Sequence, residues 1–435
     1  MYVCTSCTEA EGKRTEFRLN GLVIPWYAFA DGKYRRKEAC FMEKKHVWRR
    51  VAFPLLIGMI IAYGISCLYL YLNQAVQPLD YDNRVFQSDL PYHISMIVDD
   101  GWYYSFTAYV YQVLYLLAGK GTWLIALFLA VVSVGTVFLT ERLLRVLLDE
   151  TKWNELTFGG ALILNMVMPF FLEWAGRYRY VSYQSGNLWH NSTYLCMRLF
   201  AVICILVYLK IEAVYRDKIT WKQWILFSLL LVITTGIKPS FLTVFAPAMA
   251  LKLLWDLFHK VSFKQIFIFG STVLPACGVM LWQNMVLFGE DTGQGFAWNP
   301  WFTFSLHADR PKAAVLCSIA FPLIVAAFSL KEFLKDKKYF FAWVITGIGF
   351  LEALLLAETG SRSNDGNFLW GYCFAIFYIF VVSFVKWLEM GKRTRYPKLS
   401  KVMFAVAGAV LFYQLYCGIF FFMRLLGAET YFMLK

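Results

Sequence analysis

The sequence of 435 residues predicts an all-α, polytopic integral membrane protein, and three features support this fold class. Apolar residues make up 59% of the chain and charged residues only 16%, whereas soluble domains have about 45–50% and about 25%. The apolar residues fall into eleven runs, each close to the roughly 20 residues that a helix needs to cross the hydrocarbon core. Loops rich in Lys and Arg alternate with loops poor in them, as the positive-inside rule describes.

The eleven runs define about eleven predicted transmembrane helices in a single domain over residues 42–435. Between the fifth and the sixth run lies Lys238-Pro239, where the proline indicates a tight turn or a kink. The predicted spans cover residues 51–72, 122–140, 156–174, 193–209, 221–237, 240–255, 266–288, 313–330, 339–357, 367–385 and 402–424.

The positions of the basic residues predict the orientation of these spans. With the N-terminus in the cytoplasm, the cytoplasmic segments hold 28 of the 42 Lys and Arg residues, and the outer segments hold ten. The net charge of +13 therefore reflects orientation in the membrane and does not indicate a nucleic-acid partner. We expect a multi-pass protein of the cell or plasma membrane whose active face is extracytoplasmic and whose C-terminus lies outside.

Residues 1–41 differ from the rest of the chain, because they have mixed charge and no helical period. They contain Cys4-x-x-Cys7, which alone is a weak signal for a metal or redox site. Met42 directly precedes the first span and looks like a natural start. We therefore expect residues 1–41 to be an N-terminal cytoplasmic tail or an untranslated segment.

The first predicted outer loop, residues 73–121, is acidic, and its residues 88–97 predict the start of a helix. Ser88 or Asp89 can cap this helix, and a proline in its first turn is favourable. Asp89, His93 and Asp100 then share one face, so a carboxylate and an imidazole are neighbours. Asp89 is a candidate catalytic base, and the alternative is that it is only a helix cap in a solvated loop. The acids of this loop are Asp80, Asp82, Asp89, Asp99 and Asp100.

The same loop contains a second apolar stretch over residues 102–117 that is rich in tyrosine. A further crossing here would reverse the charge alternation of all later loops. We therefore expect an interfacial helix that lies on the outer leaflet, where Tyr and Trp are enriched.

The second predicted outer loop, residues 176–193, is aromatic and basic and includes Arg177. If the next helix begins near His190, then His190, Tyr194 and Arg198 lie on one face. Arg198 is a candidate phosphate ligand because a guanidinium matches a phosphate with a planar fork, and the alternative is a side chain that reaches to the interface. Asn191-Ser192-Thr193 matches a glycosylation pattern, but beside a span we interpret it as a helix cap.

The remaining outer segments add Lys238 between two spans and Arg362 in a short glycine-bearing loop. Glu352 lies within the ninth span, where a carboxylate is either functional or hydrogen-bonded to a neighbouring helix. The outer face thus combines four basic residues with one acidic loop, as an anionic substrate and acid–base chemistry require. The basic residues are Arg177, Arg198, Lys238 and Arg362.

The layout resembles the GT-C superfamily of polytopic membrane glycosyltransferases. It consists of one span, a long outer loop with Asp89-Leu-Pro-Tyr-His93, an interfacial helix and about ten further spans. In that family an acidic pair usually occupies the start of the first outer loop. Here Leu90 and Pro91 take the place of the second acid, so Asp82, Asp99 or Asp100 are its candidate substitutes.

The resemblance implies transfer of a sugar from a polyprenyl-phosphate donor to an extracytoplasmic acceptor. Asp89 is then the base, with His93 beside it, and Arg198, Arg362 or Lys238 bind the phosphate. Asp82, Asp100, Arg177 and His190 are further candidate substrate ligands. Some members use a divalent metal and others do not, so Mg²⁺ or Mn²⁺ stays open, with Asp89 and His93 as its candidate ligands. The expected partners are the lipid-linked donor, the acceptor and membrane lipids.

Two other functions fit the same composition. A surface polysaccharide polymerase or ligase also acts on lipid-linked sugars but needs no catalytic aspartate in the first loop. A lipid-linked sugar flippase or other transporter typically shows internal repeats and broken helices, and a non-catalytic assembly scaffold is a further alternative. The sequence contains no Walker loop, no GxGxxG after a strand and no HExxH, so chemistry driven by a bound nucleotide is not indicated.

Overall fold

The computed structural model describes residues 17–19, 22–24, 32–80, 85–101, 103–176, 178, 183–287, 295–306, 308–333, 335–360, 363–393 and 397–429. Within these ranges, side chains are described from residue 51 onward, except at 331 and 332. The chain divides into two compact units, Met1–Ile57 and Gly58–Lys435. The first unit contains an antiparallel pair of short strands, β1 (Phe17–Leu19) and β2 (Leu22–Ile24).

The second unit is helical, apart from one antiparallel pair of strands that joins two predicted outer loops. In that pair β3 (Gly295–Trp298) lies beside β4 (Leu356–Thr359). The helices are α1 (Gly32–Ala75, which begins in the first unit), α2 (Leu90–Val98), α3 (Phe106–Leu117), α4 (Trp123–Leu147), α5 (Glu155–Leu164), α6 (Ser192–Glu212), α7 (Trp221–Ile237), α8 (Ser240–Phe258), α9 (Phe263–Ser271), α10 (Leu274–Leu287), α11 (Phe302–Ser305), α12 (Pro311–Ser318), α13 (Ala320–Phe328), α14 (Leu330–Phe333), α15 (Lys337–Leu355), α16 (Leu369–Gly391) and α17 (Pro397–Leu426).

Eight of the eleven predicted spans coincide with helical segments that are long and apolar enough to cross a membrane, counted over the described residues. The prediction of an all-α fold with several helices suited to membrane crossing is therefore confirmed. α16 is the central helix, because 89% of its apolar window is buried against neighbours that include α4, α8, α13, α15 and α17. Only 17% of the apolar window in Phe263–Leu287 (α9 with α10) and 33% of that in α17 are buried, as expected of helices that face lipid.

The third predicted span, residues 156–174, is wrong as a continuous helix. α5 ends at Leu164, and the chain continues through residues 165–172 without helical structure. Pro169 disfavours helix in the residue before it and has no amide hydrogen to donate. α17 packs directly on this stretch, where a Cβ on Gly418 would lie only 1.6 Å from the carbonyl oxygen of Met166.

The eighth predicted span, residues 313–330, is also interrupted. It forms α12 and α13, which meet at Ile319 with a bend of 65°. Pro322 explains the break, because it cannot donate a hydrogen bond to the carbonyl four residues earlier and its ring crowds that carbonyl. The fifth predicted span is α7, whose 17 residues measure about 26 Å at 1.5 Å per residue.

The first predicted outer loop contains two helices, as expected. In α2, Pro91 lies in the first turn. α3 begins at Phe106, and Ser105 at its N-cap also donates to the carbonyl oxygen of Ile237 at 2.7 Å. A Cβ on Gly236 would lie 2.3 Å from the ring of Phe106, so this glycine permits the close contact between α3 and the end of α7.

Buried amides satisfy the backbone groups that the interrupted helices leave open. Asn187 Nδ2 donates to the carbonyl oxygens of Leu164 and Val167 at 3.0 and 2.8 Å. Gln414 of α17 accepts from the amide of Phe321 at 3.2 Å and donates to the carbonyl of Cys317 at 3.3 Å. Polar backbone groups in a buried segment need such partners, so these side chains stabilise the non-helical path.

Candidate functional site

The first predicted outer loop meets the N-terminus of α6 at Asp89. Ser88 Oγ accepts from the amide of Leu90 at 3.0 Å and donates to the carbonyl oxygen of His190 at 2.7 Å. The amide of Asp89 donates to the same carbonyl at 3.0 Å. Residues 88–89 are therefore held against residues 190–191, more than a hundred positions later in the sequence.

Asp89 occupies the N-cap position of α2, but its carboxylate makes no capping hydrogen bond there. Instead, Asn191 Nδ2 donates to Asp89 Oδ2 at 2.7 Å. The carboxylate lies at the start of α6, where the helix dipole stabilises a negative charge. Its side chain is 25% exposed, so the carboxylate group is only partly buried.

Asn191 is the residue that positions this carboxylate. Its Oδ1 accepts from the amide of Tyr194 at 2.9 Å, so the interpretation of Asn191-Ser192-Thr193 as a helix cap is confirmed. The oxygen of the Asn191 amide thus caps α6, and its nitrogen binds Asp89. Sequence reasoning identified the cap but missed the contact with the carboxylate, because nothing in the local pattern links residue 191 to residue 89.

The imidazole of His190 faces the same carboxylate. Its Nε2 lies 3.8 Å from Asp89 Oδ2, beyond hydrogen-bond distance, and its ring centroid lies 5.5 Å from that of Trp370. Burial lowers the pKa of His190, the carboxylate of Asp89 opposes this change and the ammonium of Lys238 adds to it. The ring is therefore neutral at pH 7.

Lys238 brings a positive charge close to the N-terminus of α6. Its Nζ lies 3.5 Å from Thr193 Oγ1 and 4.7 Å from the centroid of the Trp370 ring. Trp370 Nε1 donates to Asn367 Oδ1 at 3.2 Å, and Asn367 Nδ2 in turn donates to Glu358 at 2.9 Å. No sequence pattern singled out Trp370, because an aromatic residue at a span end is ordinary.

His93 also reaches the start of α6. Its amide donates to the carbonyl of Asp89 at 2.9 Å, and its Nδ1 lies 3.0 Å from Ser192 Oγ. Asp100 lies beyond the end of α2 and is exposed, and Asp99 at the C-cap accepts from Ser95 Oγ at 2.8 Å. The structure thus gathers Asp89, His93, His190 and Lys238 around one helix end and leaves Asp100 outside this group.

Arg198 is buried, only 1% exposed, a turn and a half into α6. Its Nη1 donates to the carbonyl oxygen of Gly186 at 2.7 Å and to Asn187 Oδ1 at 2.6 Å, and the ring of Phe377 lies 5.1 Å away. Among the described residues no carboxylate lies within ion-pair distance of this guanidinium. These contacts hold residues 186–187 in place, so Arg198 has a structural role. Its role in binding a phosphate stays a prediction.

Three predicted site residues, Asp82, Arg177 and Arg362, lie outside the described residues. Glu352 accepts from Thr243 Oγ1 at 3.0 Å, so the alternative that it is hydrogen-bonded to a neighbouring helix is confirmed. Within the part of the chain that the structure describes, no three His, Cys, Asp or Glu side chains are grouped closely enough to hold a metal ion. The choice between Mg²⁺, Mn²⁺ and no metal stays a prediction.

Comparison with known proteins assigns no family to the chain. No protein-family model matches it, and a search of curated proteins finds no relative. The functional argument therefore depends on the chemistry of the site, which combines an oriented carboxylate, a neutral imidazole and an ammonium group.

Proposed function

We propose that this protein is a membrane glycosyltransferase of the GT-C type. It moves a sugar from a polyprenyl-phosphate donor to an extracytoplasmic glycan, lipid or protein. The observation that carries the proposal is the Asp89 carboxylate, which Asn191 orients at the start of α6 while the side chain stays 25% exposed. Lys238 lies near the same helix end, with its Nζ 3.5 Å from Thr193 Oγ1, and supplies the positive charge for the donor phosphate.

The proposed reaction uses these groups as follows. Asp89 takes the proton of an acceptor hydroxyl, and the hydroxyl oxygen forms a bond to the anomeric carbon of the sugar. The bond from that carbon to the phosphate oxygen breaks, and the electron pair leaves with the phosphate. Lys238 stabilises the charge that develops on the leaving phosphate. The neutral His190 limits the positive charge beside Asp89, so the carboxylate stays available as a base.

The proposal includes eleven crossings with an outer active face. α5 covers about 15 Å, and the eight non-helical residues 165–172 can cover at most about 26 Å, so the two segments together are long enough for the roughly 30 Å core. The eight long helices and the α5 segment account for nine crossings. The remaining two are α7 and the bent pair of α12 and α13. A reporter inserted at residue 300 should then be found outside and one at residue 335 inside, and the reverse result contradicts this topology.

One observation favours a second candidate, a lipid-linked sugar flippase or another transporter. The non-helical residues 165–172 and the break at Ile319 are adjacent, since the amide of Phe170 donates to the carbonyl of Cys317 at 3.0 Å. Paired interruptions of this kind are typical of transporter binding sites. A flippase moves the intact lipid-linked sugar, whereas a glycosyltransferase cleaves the sugar–phosphate bond, so release of free polyprenyl phosphate distinguishes them.

The proposed function is tested in cells by Asp89→Asn, which keeps the size of the side chain and can still accept a hydrogen bond. With normal membrane levels of the variant, we expect loss of one specific sugar from the surface glycans. A matched control is Asp309→Asn, an exposed aspartate in another predicted outer loop. A full set of surface sugars in Asp89→Asn cells contradicts the mechanism.

A further inference from the structure

The indole of Trp370 lies among the residues of the candidate site, and the proposed reaction gives it no task. Trp370 is only 9% exposed. The ammonium of Lys238 lies 4.7 Å from the centroid of the indole ring, and the ring centroids of His190 and Tyr194 lie 5.5 and 5.6 Å from it. One aromatic side chain therefore contacts both the group assigned to the donor phosphate and the imidazole that faces Asp89.

A buried anchor fixes the orientation of this ring. Trp370 Nε1 donates to Asn367 Oδ1 at 3.2 Å, and Asn367 Nδ2 donates to the two carboxylate oxygens of Glu358 at 3.0 and 2.9 Å. The backbone amide of Asn367 also donates to Glu358 Oε2 at 3.2 Å, and Glu358 is only 7% exposed on β4. A buried carboxylate depends on such donors, and an indole that turned away would leave its own N–H without a partner. Rotation of the Trp370 ring is therefore unfavourable.

The packing of two helix starts fixes the distance between Trp370 and Lys238. Trp370 is the second residue of α16, and Lys238 lies two residues before the start of α8. A Cβ on Gly371 would lie 2.8 Å from the carbonyl oxygen of Ser240, so the first turns of α16 and α8 are in direct contact. The indole and the lysine thus belong to one tightly packed junction.

A lysine that binds a phosphate benefits from such a neighbour in two ways. Its flexible side chain loses rotamer entropy when a ligand orders it, and a contact that orders it beforehand reduces this cost. An aromatic face attracts an ammonium group through its quadrupole without cancelling the charge, whereas a carboxylate cancels it. The ring of Trp370 can therefore orient the ammonium of Lys238 while the positive charge stays effective towards a phosphate.

We propose that Trp370 is a positioning residue, which orients the ammonium of Lys238 for the phosphate of the donor, and that Asn367 and Glu358 fix Trp370. The proposal rests on the glycosyltransferase function and adds the element that orders its phosphate-binding group. Trp370 then affects phosphate binding through Lys238, so the effects of changing these two residues are coupled.

The test measures the binding of a phosphate monoester of a short isoprenoid alcohol, which needs neither the sugar nor the acceptor. Purified wild-type protein and Trp370→Leu in nanodiscs are titrated with citronellyl phosphate and, separately, with citronellol. We expect Trp370→Leu to raise the Kd of citronellyl phosphate about tenfold, because the cation–π contact is lost and binding must order the lysine. The Kd of citronellol, which has no phosphate, should not change.

A milder variant tests the role of the aromatic face. Trp370→Phe keeps an aromatic ring but loses the hydrogen bond to Asn367. Its Kd for citronellyl phosphate should therefore lie between the values of the wild type and Trp370→Leu. Binding as weak as that of Trp370→Leu refutes a cation–π role for the ring.

A double-mutant cycle separates positioning from a general loss of structure. Lys238→Met removes the ammonium but keeps an unbranched side chain, and it should weaken the binding of citronellyl phosphate by itself. Adding Trp370→Leu to Lys238→Met should cause no further rise in this Kd. A further rise of about tenfold shows that Trp370 acts independently of Lys238 and overturns the proposal.

Trp387 provides a matched control at the other end of the same helix. It is 7% exposed, its Nε1 donates to the carbonyl oxygen of Phe404 at 2.8 Å, and its ring stacks on that of Phe404 at 4.5 Å. Trp387→Leu should lower the Tm as Trp370→Leu does but leave both Kd values unchanged. An equal rise in the Kd of citronellyl phosphate for both variants shows a global effect and contradicts a specific role of Trp370.

The outcomes also distinguish this inference from the proposed function. If the wild type binds citronellyl phosphate more tightly than citronellol, but Trp370→Leu binds both equally well as the wild type, only the role of Trp370 is wrong. If the wild type binds the phosphate no more tightly than the alcohol, a polyprenyl-phosphate donor is contradicted as well.

Discussion

Replacing Asn187 by leucine is the most direct perturbation of the non-helical core that supports the site. Leucine has the same number and branching of side-chain heavy atoms but leaves three buried polar groups without this partner. These groups are the carbonyls of Leu164 and Val167 and the guanidinium of Arg198. Each unsatisfied buried group costs about 1–3 kcal/mol. Because Gly186 still accepts from Arg198, we expect a loss near the lower end of the total, about 4 kcal/mol.

The assay for Asn187→Leu is thermal unfolding in lipid nanodiscs, followed by intrinsic fluorescence. At roughly 2–4 °C per kcal/mol, the Tm should fall by about 8–16 °C. The matched control Asn299→Leu changes an exposed asparagine and should move the Tm by less than about 2 °C. A Tm for Asn187→Leu as high as that of this control refutes the view that one amide holds the path of residues 164–168.

Two further predictions concern the imidazole of His190 and the contact between α3 and α7. Because the pKa of His190 is lowered by burial, the unfolded state binds more protons than the folded state below pH 6.5. The contribution of His190 to stability should therefore be constant above pH 7 and fall as the pH drops from 6.5 towards the lowered pKa. The measurement is Tm as a function of pH for the wild type and for His190→Gln. The difference between the two curves should show this slope, and identical curves contradict the prediction. Gly236→Ala should displace the ring of Phe106 and lower the free energy of unfolding by about 1–3 kcal/mol. Hydrogen exchange over residues 105–111 should then become faster. The control Gly347→Ala adds a methyl group where there is open space and should change neither quantity.

Hydropathy and charge predicted much of the helical architecture, because lipid-facing helices must be apolar along a length that the bilayer sets. The failures occur where a buried side chain replaces helical hydrogen bonds. The amide of Asn187 lies more than twenty residues from Leu164 in the sequence, and the amide of Gln414 is almost a hundred from Phe321. Pro169 and Pro322 were the visible local signals of these breaks, but apolar composition outweighed them.

The candidate site was predicted in part. Local spacing placed Asp89 and His93 one turn apart and identified the cap at Asn191, since both follow from helix geometry. The contacts of Asp89 with Asn191 and His190 join distant segments, as does that of Lys238 with Trp370. Arg198 shows the same limit, because an arginine in a span has similar local sequence whether it binds a phosphate or a backbone carbonyl.

The central claim, that Asp89 is the base of a glycosyl transfer, is tested most directly with purified protein in liposomes. Polyprenyl-phosphate sugars and a cell-envelope glycan extract serve as donor and acceptor, and release of polyprenyl phosphate is measured for wild type, Asp89→Asn and Asp309→Asn. We predict that Asp89→Asn lowers kcat about 10²- to 10⁴-fold while its Tm and donor Kd stay unchanged. A kcat for Asp89→Asn within twofold of the wild type would contradict the account.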